Sequence, residues 1–140
     1  MTRSDEPCSQ RLDGIHILLV DDQQDSRDML RYALEGYGAL VTVAASAEHA
    51  VTLFWQVRPN VLVTDLSMPG GDGYELLRIL RTIEHPGGDR TPAILVTGLP
   101  PHEHRERARL AGFAALLPKP LDIKALCAAI VRLVRDGEFQ

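Results

Sequence analysis

From residue 15 onward, short apolar runs alternate with stretches whose apolar residues recur at helical spacing. The runs are Ile15–Val20, Leu40–Ala44, Val61–Thr64, Ala93–Val96 and Ala114–Leu117. They are nearly continuous rather than alternating, which is the pattern of parallel strands buried on both faces. Gln23–Glu35 carries Met29, Leu30, Ala33 and Leu34 on one helical stripe, and Gly36-Tyr37-Gly38 supplies residues suited to a left-handed cap. Ser46 opens a second helix, with Ala50, Val51, Phe54 and Val57 inward and Pro59 closing it. Tyr74–Ile83, with Leu76, Leu77 and Leu80 inward, predicts a third helix, ended by the turn cluster His85-Pro86-Gly87-Gly88-Asp89. Pro101–Leu110 is a charged fourth helix closed by Gly112, and Leu121–Val134 is the fifth. Strict alternation of strand and helix predicts a three-layer α/β/α sandwich: a five-stranded parallel sheet in order 2-1-3-4-5, with five helices and right-handed crossovers. Residues 1–13 are polar and contain Pro7, so they are expected to form a flexible arm. The domain then spans 14–136, and 137–140 is a tail.

Polar residues close these runs. Asp21 and Asp22 follow the first, Asp65 the third, Thr97 the fourth, and Lys119 stands just past the fifth. In an open α/β sheet of this flavodoxin-like kind, ligands bind outside the carboxyl ends of the strands, so all five groups are delivered to one edge. Asp21 and Asp22 have a simpler reading as caps of the first helix, where acids satisfy free amides and the dipole. With Asp65 beside them, three carboxylates share one site, an arrangement that a hard divalent cation relieves. Mg²⁺ takes oxygen ligands, keeps several waters, and is held by one or two carboxylates with a phosphate oxygen. Phosphoryl transfer is mostly positioning and charge neutralisation, tasks suited to Mg²⁺, the Lys119 ammonium and the Thr97 hydroxyl. Asp65 stands alone on the central strand and is the expected nucleophile, forming an aspartyl phosphate, with Asp21 and Asp22 as the metal-holding pair.

Composition narrows the function without supplying it. The 140 residues are 45% apolar and 24% charged, as for one globular domain. A formal charge of −4 leaves no basic footprint, so nucleic acid is not an expected partner. No apolar run approaches the roughly 20 residues of a membrane span. The leading segment has no apolar core of a signal peptide. A cytoplasmic protein without a membrane partner is expected, with Cys8 and Cys127 as free thiols because they lack metal or disulfide-motif spacing.

The strings LLVDDQQDSRDML, VLVTDLSMPGGDGYELLR, AILVTG and GFAALLPKP, in that order and separation, resemble the response-regulator receiver domain of two-component signalling, over about residues 15–135. The resemblance implies that Asp65 accepts a phosphoryl group from a phosphohistidine on a histidine kinase or a histidine phosphotransfer protein. It also implies that Asp21, Asp22, Asp65 and the Ser67 backbone carbonyl hold Mg²⁺, that Thr97 and Lys119 bond the phosphoryl oxygens, and that Lys119-Pro120 is cis. The product is a phosphorylated signalling module, slow to lose its phosphate by itself, rather than a turnover enzyme. A downstream protein would be met through helix 4, strand 5 and helix 5, with room for a homodimer. Leu116 departs from the pattern, since most receivers place Tyr or Phe three residues before the lysine. Switching is therefore expected to run through the backbone of Thr97–Glu103 and helix 4. Leu99 and Ser67 occupy positions that tune water attack on the aspartyl phosphate, and Leu99 cannot orient a water.

Other motifs have plainer readings. Gly70-Gly71-Asp72-Gly73 lacks the phosphate-loop pattern, and Asp72 is the expected N-cap of the third helix. HEHRERAR, residues 102–109, is expected to form a solvated face. The fifth helix is apolar round more than one stripe, open both to a partner surface and to mere helix preference of its alanines. The expected module carries no output domain; the alternative is a receiver cut from a larger hybrid sensor kinase. A haloacid-dehalogenase-like phosphatase shares the residue types but needs DxD, not the adjacent pair Asp21-Asp22. A flavodoxin would place phosphate where DDQQ repels it.

Overall fold

The computed structural model describes residues 11–68, 71–84 and 90–135. In chain order these form β1 (His16–Val20), α1 (Gln24–Gly36), β2 (Leu40–Ala44), α2 (Ala47–Val57), β3 (Val61–Asp65), α3 (Gly73–Ile83), β4 (Ala93–Thr97), α4 (Pro101–Ala111), β5 (Ala115–Pro118) and α5 (Ile123–Val134). The sheet runs β2-β1-β3-β4-β5 and every pairing is parallel, as the alternation predicts. Register aligns Val20 with Thr64 and Ala44, Asp65 with Val96, and Thr97 with Pro118, so the strands end nearly level. That levelness places the polar run-ends side by side.

Side chains alternate across the sheet and divide the core in two. Ile17, Leu19, Val63 and Val96 pack with Leu30 and Leu34 of α1 and Leu126, Ile130 and Leu133 of α5. Leu18, Val20, Leu62 and Leu95 pack with Phe54 of α2, Leu76, Leu77 and Leu80 of α3, and Ala108 of α4. Two helices therefore cover one face and three the other.

Local chemistry sets most boundaries. The Ser46 hydroxyl accepts from the His49 N–H at 3.1 Å, and an Asp72 carboxylate oxygen accepts from the Glu75 N–H at 2.9 Å, so both are N-caps as the sequence indicates. Asp122 caps α5 in the same way, accepting from Lys124 N–H at 3.0 Å. Gly112 ends α4 in the left-handed region at φ 106°, where a side chain is disfavoured. The turn His85–Asp89, Pro69, Gly70, residues 1–10 and the tail 137–140 lie outside the described residues.

Two local expectations are corrected. Leu12, placed in the arm by its polar neighbours, is fully buried in the α1/α5 core, and its N–H donates to the Tyr37 carbonyl at 2.8 Å. His104, placed on a solvated face of α4, is half-buried and hydrogen-bonded through Nδ1 to the Tyr74 hydroxyl at 3.2 Å. Both depart because contacts from other elements, the α1/α5 core for Leu12 and Tyr74 of α3 for His104, override the polarity of the surrounding string.

Candidate functional site

Asp21 directly follows β1, Asp65 is the last residue of β3, Thr97 the last of β4, and Lys119 directly follows β5. Asp21, Asp65 and Thr97 are 3%, 9% and 2% exposed, while Asp22 is half-buried. One carboxylate oxygen from each of Asp21, Asp22 and Asp65 lies within 4.8 Å of the other two. The Lys119 ammonium donates to Asp65 Oδ2 at 2.9 Å. The Lys119 N–H donates to the Thr97 carbonyl at 2.9 Å, which ties the lysine to the end of β4. Lys119-Pro120 is cis, matching the expectation drawn from the resemblance. The five residues read off the run-ends thus meet at one edge.

Burial and charge pull Asp65 in opposite directions. Desolvation raises its carboxyl above the ordinary 3.8; the Lys119 hydrogen bond and charge pull it down, the Asp21 carboxylate adds to the rise, and the upward effects prevail. One ammonium does not neutralise three carboxylates.

The donor set suits a hard divalent ion. An octahedral ion about 2.1 Å from its oxygens sets neighbouring ligands about 3.0 Å apart and opposite ones about 4.2 Å apart. Oxygens within 4.8 Å reach that spacing through small side-chain shifts. Ser67, whose carbonyl the resemblance adds to the set, lies exposed two residues past Asp65.

Asp21 and Asp22 are held very differently. Asp21 Oδ1 accepts from the Gln23 N–H at 2.9 Å, Oδ2 from the Ser26 hydroxyl at 2.7 Å, and its carbonyl from an Arg27 guanidinium N–H at 2.8 Å. The capping reading of this acid is therefore met in part, since Gln23 is the N-cap residue of α1 and has no cap bond from its own side chain. Asp22 takes part in no hydrogen bond among the described residues. The Thr97 hydroxyl accepts from the Leu99 N–H at 3.1 Å, and Leu99 itself is exposed. Leu116, at the position where an aromatic ring is usual, is half-buried against the α2/α3/α4 core.

Gly73 holds the back of the site. Its N–H donates to the Leu66 carbonyl at 2.8 Å, and a Cβ there would stand 2.8 Å from the Asp65 carbonyl oxygen and 3.0 Å from Leu95 Cδ1. Only a glycine allows α3 to start this close to the end of β3. Beside the site, a cavity of about 320 Å³ opens between α1 and the β5–α5 junction, lined in part by Met29, Leu30, Leu121 and Ile123, with Asp65 and Lys119 in its wall. Met29 at its edge is 65% exposed.

Ser26, Arg27 and Gly73 were missed as site residues in the sequence. The available signal for Ser26 is a hydroxyl one helical turn before Leu30, on the inward stripe of α1.

A parallel sheet in this order, with acids, a hydroxyl and an ammonium at the carboxyl ends of its strands, defines an α/β domain of the receiver class. The family model of the response regulator receiver domain matches residues 17–131, and the chain belongs to that family. It is 44% identical over 127 residues to an uncharacterized 14.6 kDa protein encoded in the sodA1 3′ region of Leptolyngbya boryana, covering 91% of this chain and 92% of that protein. It is 37% identical to the virulence sensor protein BvgS of Bordetella bronchiseptica over 81% of this chain but 9% of BvgS. With the response regulator MprA of Mycobacterium ulcerans the identity is 34%, over 91% of this chain and 53% of MprA. Among solved structures, the Francisella response regulator 1452 receiver domain superposes with a TM-score of 0.80 at 27% identity, covering 89% of this chain and all of that one. The chemotaxis response regulator CheY4 of Vibrio cholerae gives 0.75 at 26% identity, over 85% of this chain and 98% of that one. Receivers are phosphoacceptors that bind Mg²⁺ at an acidic pocket and meet histidine kinases or phosphotransfer proteins, and Asp21, Asp22 and Asp65 form such a pocket here. Among the described residues, no helix is long and apolar enough to cross a membrane.

Proposed function

We propose that this chain is a phosphorylation-controlled receiver whose acceptor is Asp65. The observation that carries the proposal is the Lys119 ammonium 2.9 Å from Asp65 Oδ2, together with the three acid oxygens within 4.8 Å. The Asp65 carboxylate attacks the phosphorus of a phosphohistidine; the new O–P bond forms as the P–N bond breaks, and the freed imidazole leaves with the bonding pair and takes up a proton. Lys119 moves from the Asp65 carboxylate to a phosphoryl oxygen as charge passes outward. The Thr97 hydroxyl, which accepts from the Leu99 N–H, donates its own proton to a second phosphoryl oxygen. Asp21, Asp22, Asp65 and the Ser67 carbonyl would hold Mg²⁺, which would supply charge neutralisation at the phosphoryl group.

The donor protein is a histidine kinase or a histidine phosphotransfer protein. Supporting this, the cavity between α1 and the β5–α5 junction gives an apolar seat directly beside Asp65, with exposed Met29 at its edge. Signalling onward is by protein contact through α4, β5 and α5, as a cytoplasmic module. The match to a sensor protein, which covers 9% of that protein, favours as a second reading a receiver that works within a hybrid sensor.

Intact mass after incubation with acetyl phosphate, with and without Mg²⁺, tests the acceptor. One added phosphoryl group that needs Mg²⁺ and is absent in Asp65→Asn is the expected result. No gain under any condition, or an equal gain in the variant, overturns it.

A further inference from the structure

The asymmetry between the two adjacent acids points to a residue that the established receiver chemistry does not use. An aspartate at a strand end has two free torsions, and a metal site is only as well defined as the rotamers of its ligands. Here both oxygens of Asp21 are engaged from one side, Oδ1 by the Gln23 N–H at 2.9 Å and Oδ2 by the Ser26 hydroxyl at 2.7 Å. Two bonds to two oxygens fix the plane of the carboxylate. An ionised carboxylate offers about four acceptor sites, so two lone pairs remain after these bonds. The bond to Ser26 is short, as expected when the acceptor carries charge. The Gln23 N–H is a backbone group that almost any residue would supply, whereas the Ser26 hydroxyl is a side-chain group that a substitution removes.

Resting on the reading of this edge as a Mg²⁺ site, we propose that Ser26 is a positioning residue for that ion. From the first turn of α1 it locks Asp21 so that the acid presents its remaining oxygen lone pairs toward Asp22 and Asp65. Asp22, which makes no hydrogen bond among the described residues, is the ligand that adjusts, while Asp21 is the fixed one. Outer-shell partners of this kind are worth about 10- to 100-fold in metal affinity. Ser26 also lines the 320 Å³ cavity, which leaves space for the extra methyl group of a threonine.

The test is a titration with Mg²⁺ alone, followed by backbone amide shifts around Asp21, Asp22 and Asp65, on the wild-type protein, Ser26→Ala and Ser26→Thr. The dissociation constant is expected to rise about tenfold in Ser26→Ala and to return to within about twofold of wild type in Ser26→Thr, which restores the hydroxyl. A helix-packing role would lower the melting temperature of a variant without separating the Mg²⁺ constants of alanine and threonine. Ser26→Ala binding as tightly as wild type, or Ser26→Thr binding as weakly as Ser26→Ala, overturns the role of Ser26 and leaves the acceptor reading intact. A wild-type protein with no response to millimolar Mg²⁺ sinks the metal site itself.

Discussion

Asp65 carries a charge that its surroundings only partly support. Its folded-state carboxyl titrates above 3.8, chiefly through burial, so the folded protein holds that proton at pH values where the unfolded chain has lost it. Stability from this group therefore falls as pH rises from 3.8 through the folded value and stays reduced above it. Asp65→Asn removes the loss, so without Mg²⁺ it is expected to melt a few degrees higher than wild type near neutral pH, with the gain fading below 3.8. Melting curves across that pH range check the sign; a variant less stable at neutral pH contradicts it. Leu99 sets a second prediction. Its exposed side chain cannot hold a water for attack, so the aspartyl phosphate is expected to decay several-fold more slowly than in Leu99→Glu, as followed by intact mass; equal decay rates refute this. The acids, Thr97 and Lys119 were legible because each closes an apolar run, and level strand ends do the rest. Ser26 and Gly73 were not. The Ser26–Asp21 bond crosses a strand-to-helix turn, and the need for glycine at 73 arises from a 2.8 Å approach between α3 and β3 that no spacing encodes.

Among the helices, α4 buries the fewest described side chains. Ala108 alone among its described side chains is buried, and its N-cap, Pro100, makes no side-chain cap bond. Tyr74 of α3 supplies much of the remaining hold: its hydroxyl meets His104 Nδ1 at 3.2 Å, the Arg107 guanidinium lies 4.1 Å from its ring centroid, and its ring stands edge-on to Phe113 at 6.0 Å. Periodicity misassigned His104 because a helix this polar has no clear inward stripe; the partner ring arrives from another element. Tyr74→Phe deletes the hydroxyl bond and keeps the ring contacts. Loss of one such bond is worth about 1 kcal/mol, so amide exchange in α4 is expected to speed up about fivefold while α3 is unchanged. Equal change in both helices would mean that the bond supports the whole fold rather than α4. With so little of α4 buried, that helix is the element expected to respond when the Thr97 hydroxyl turns to a phosphoryl oxygen. With Leu116 at the usual aromatic position, a phosphoryl mimic is expected to shift amides through Thr97–Glu103 and along α4. Shifts confined to Asp21, Asp22 and Asp65 would rule out that route.

At the scale of the molecule, the fold concentrates charge where its sheet ends and apolar mass everywhere behind it. The alternation of strand and helix made this architecture readable, since a buried parallel sheet has few ways to satisfy such a pattern. The same construction leaves three carboxylates and one ammonium at a single edge, so the metal-free protein holds a repulsion that Lys119 relieves only in part. A ligand that binds only the folded state stabilises it by RT ln(1 + [L]/Kd), about 1.4 kcal/mol when Mg²⁺ stands at ten times its Kd. For a domain of this size that is roughly a 5 °C rise in melting temperature. Chelation should reverse the rise, and in Asp65→Asn the rise should shrink, because one ligand and one of the repelling charges are both gone. A wild-type rise that persists unchanged in Asp65→Asn would place the ion elsewhere on the molecule and separate metal binding from the acceptor residue.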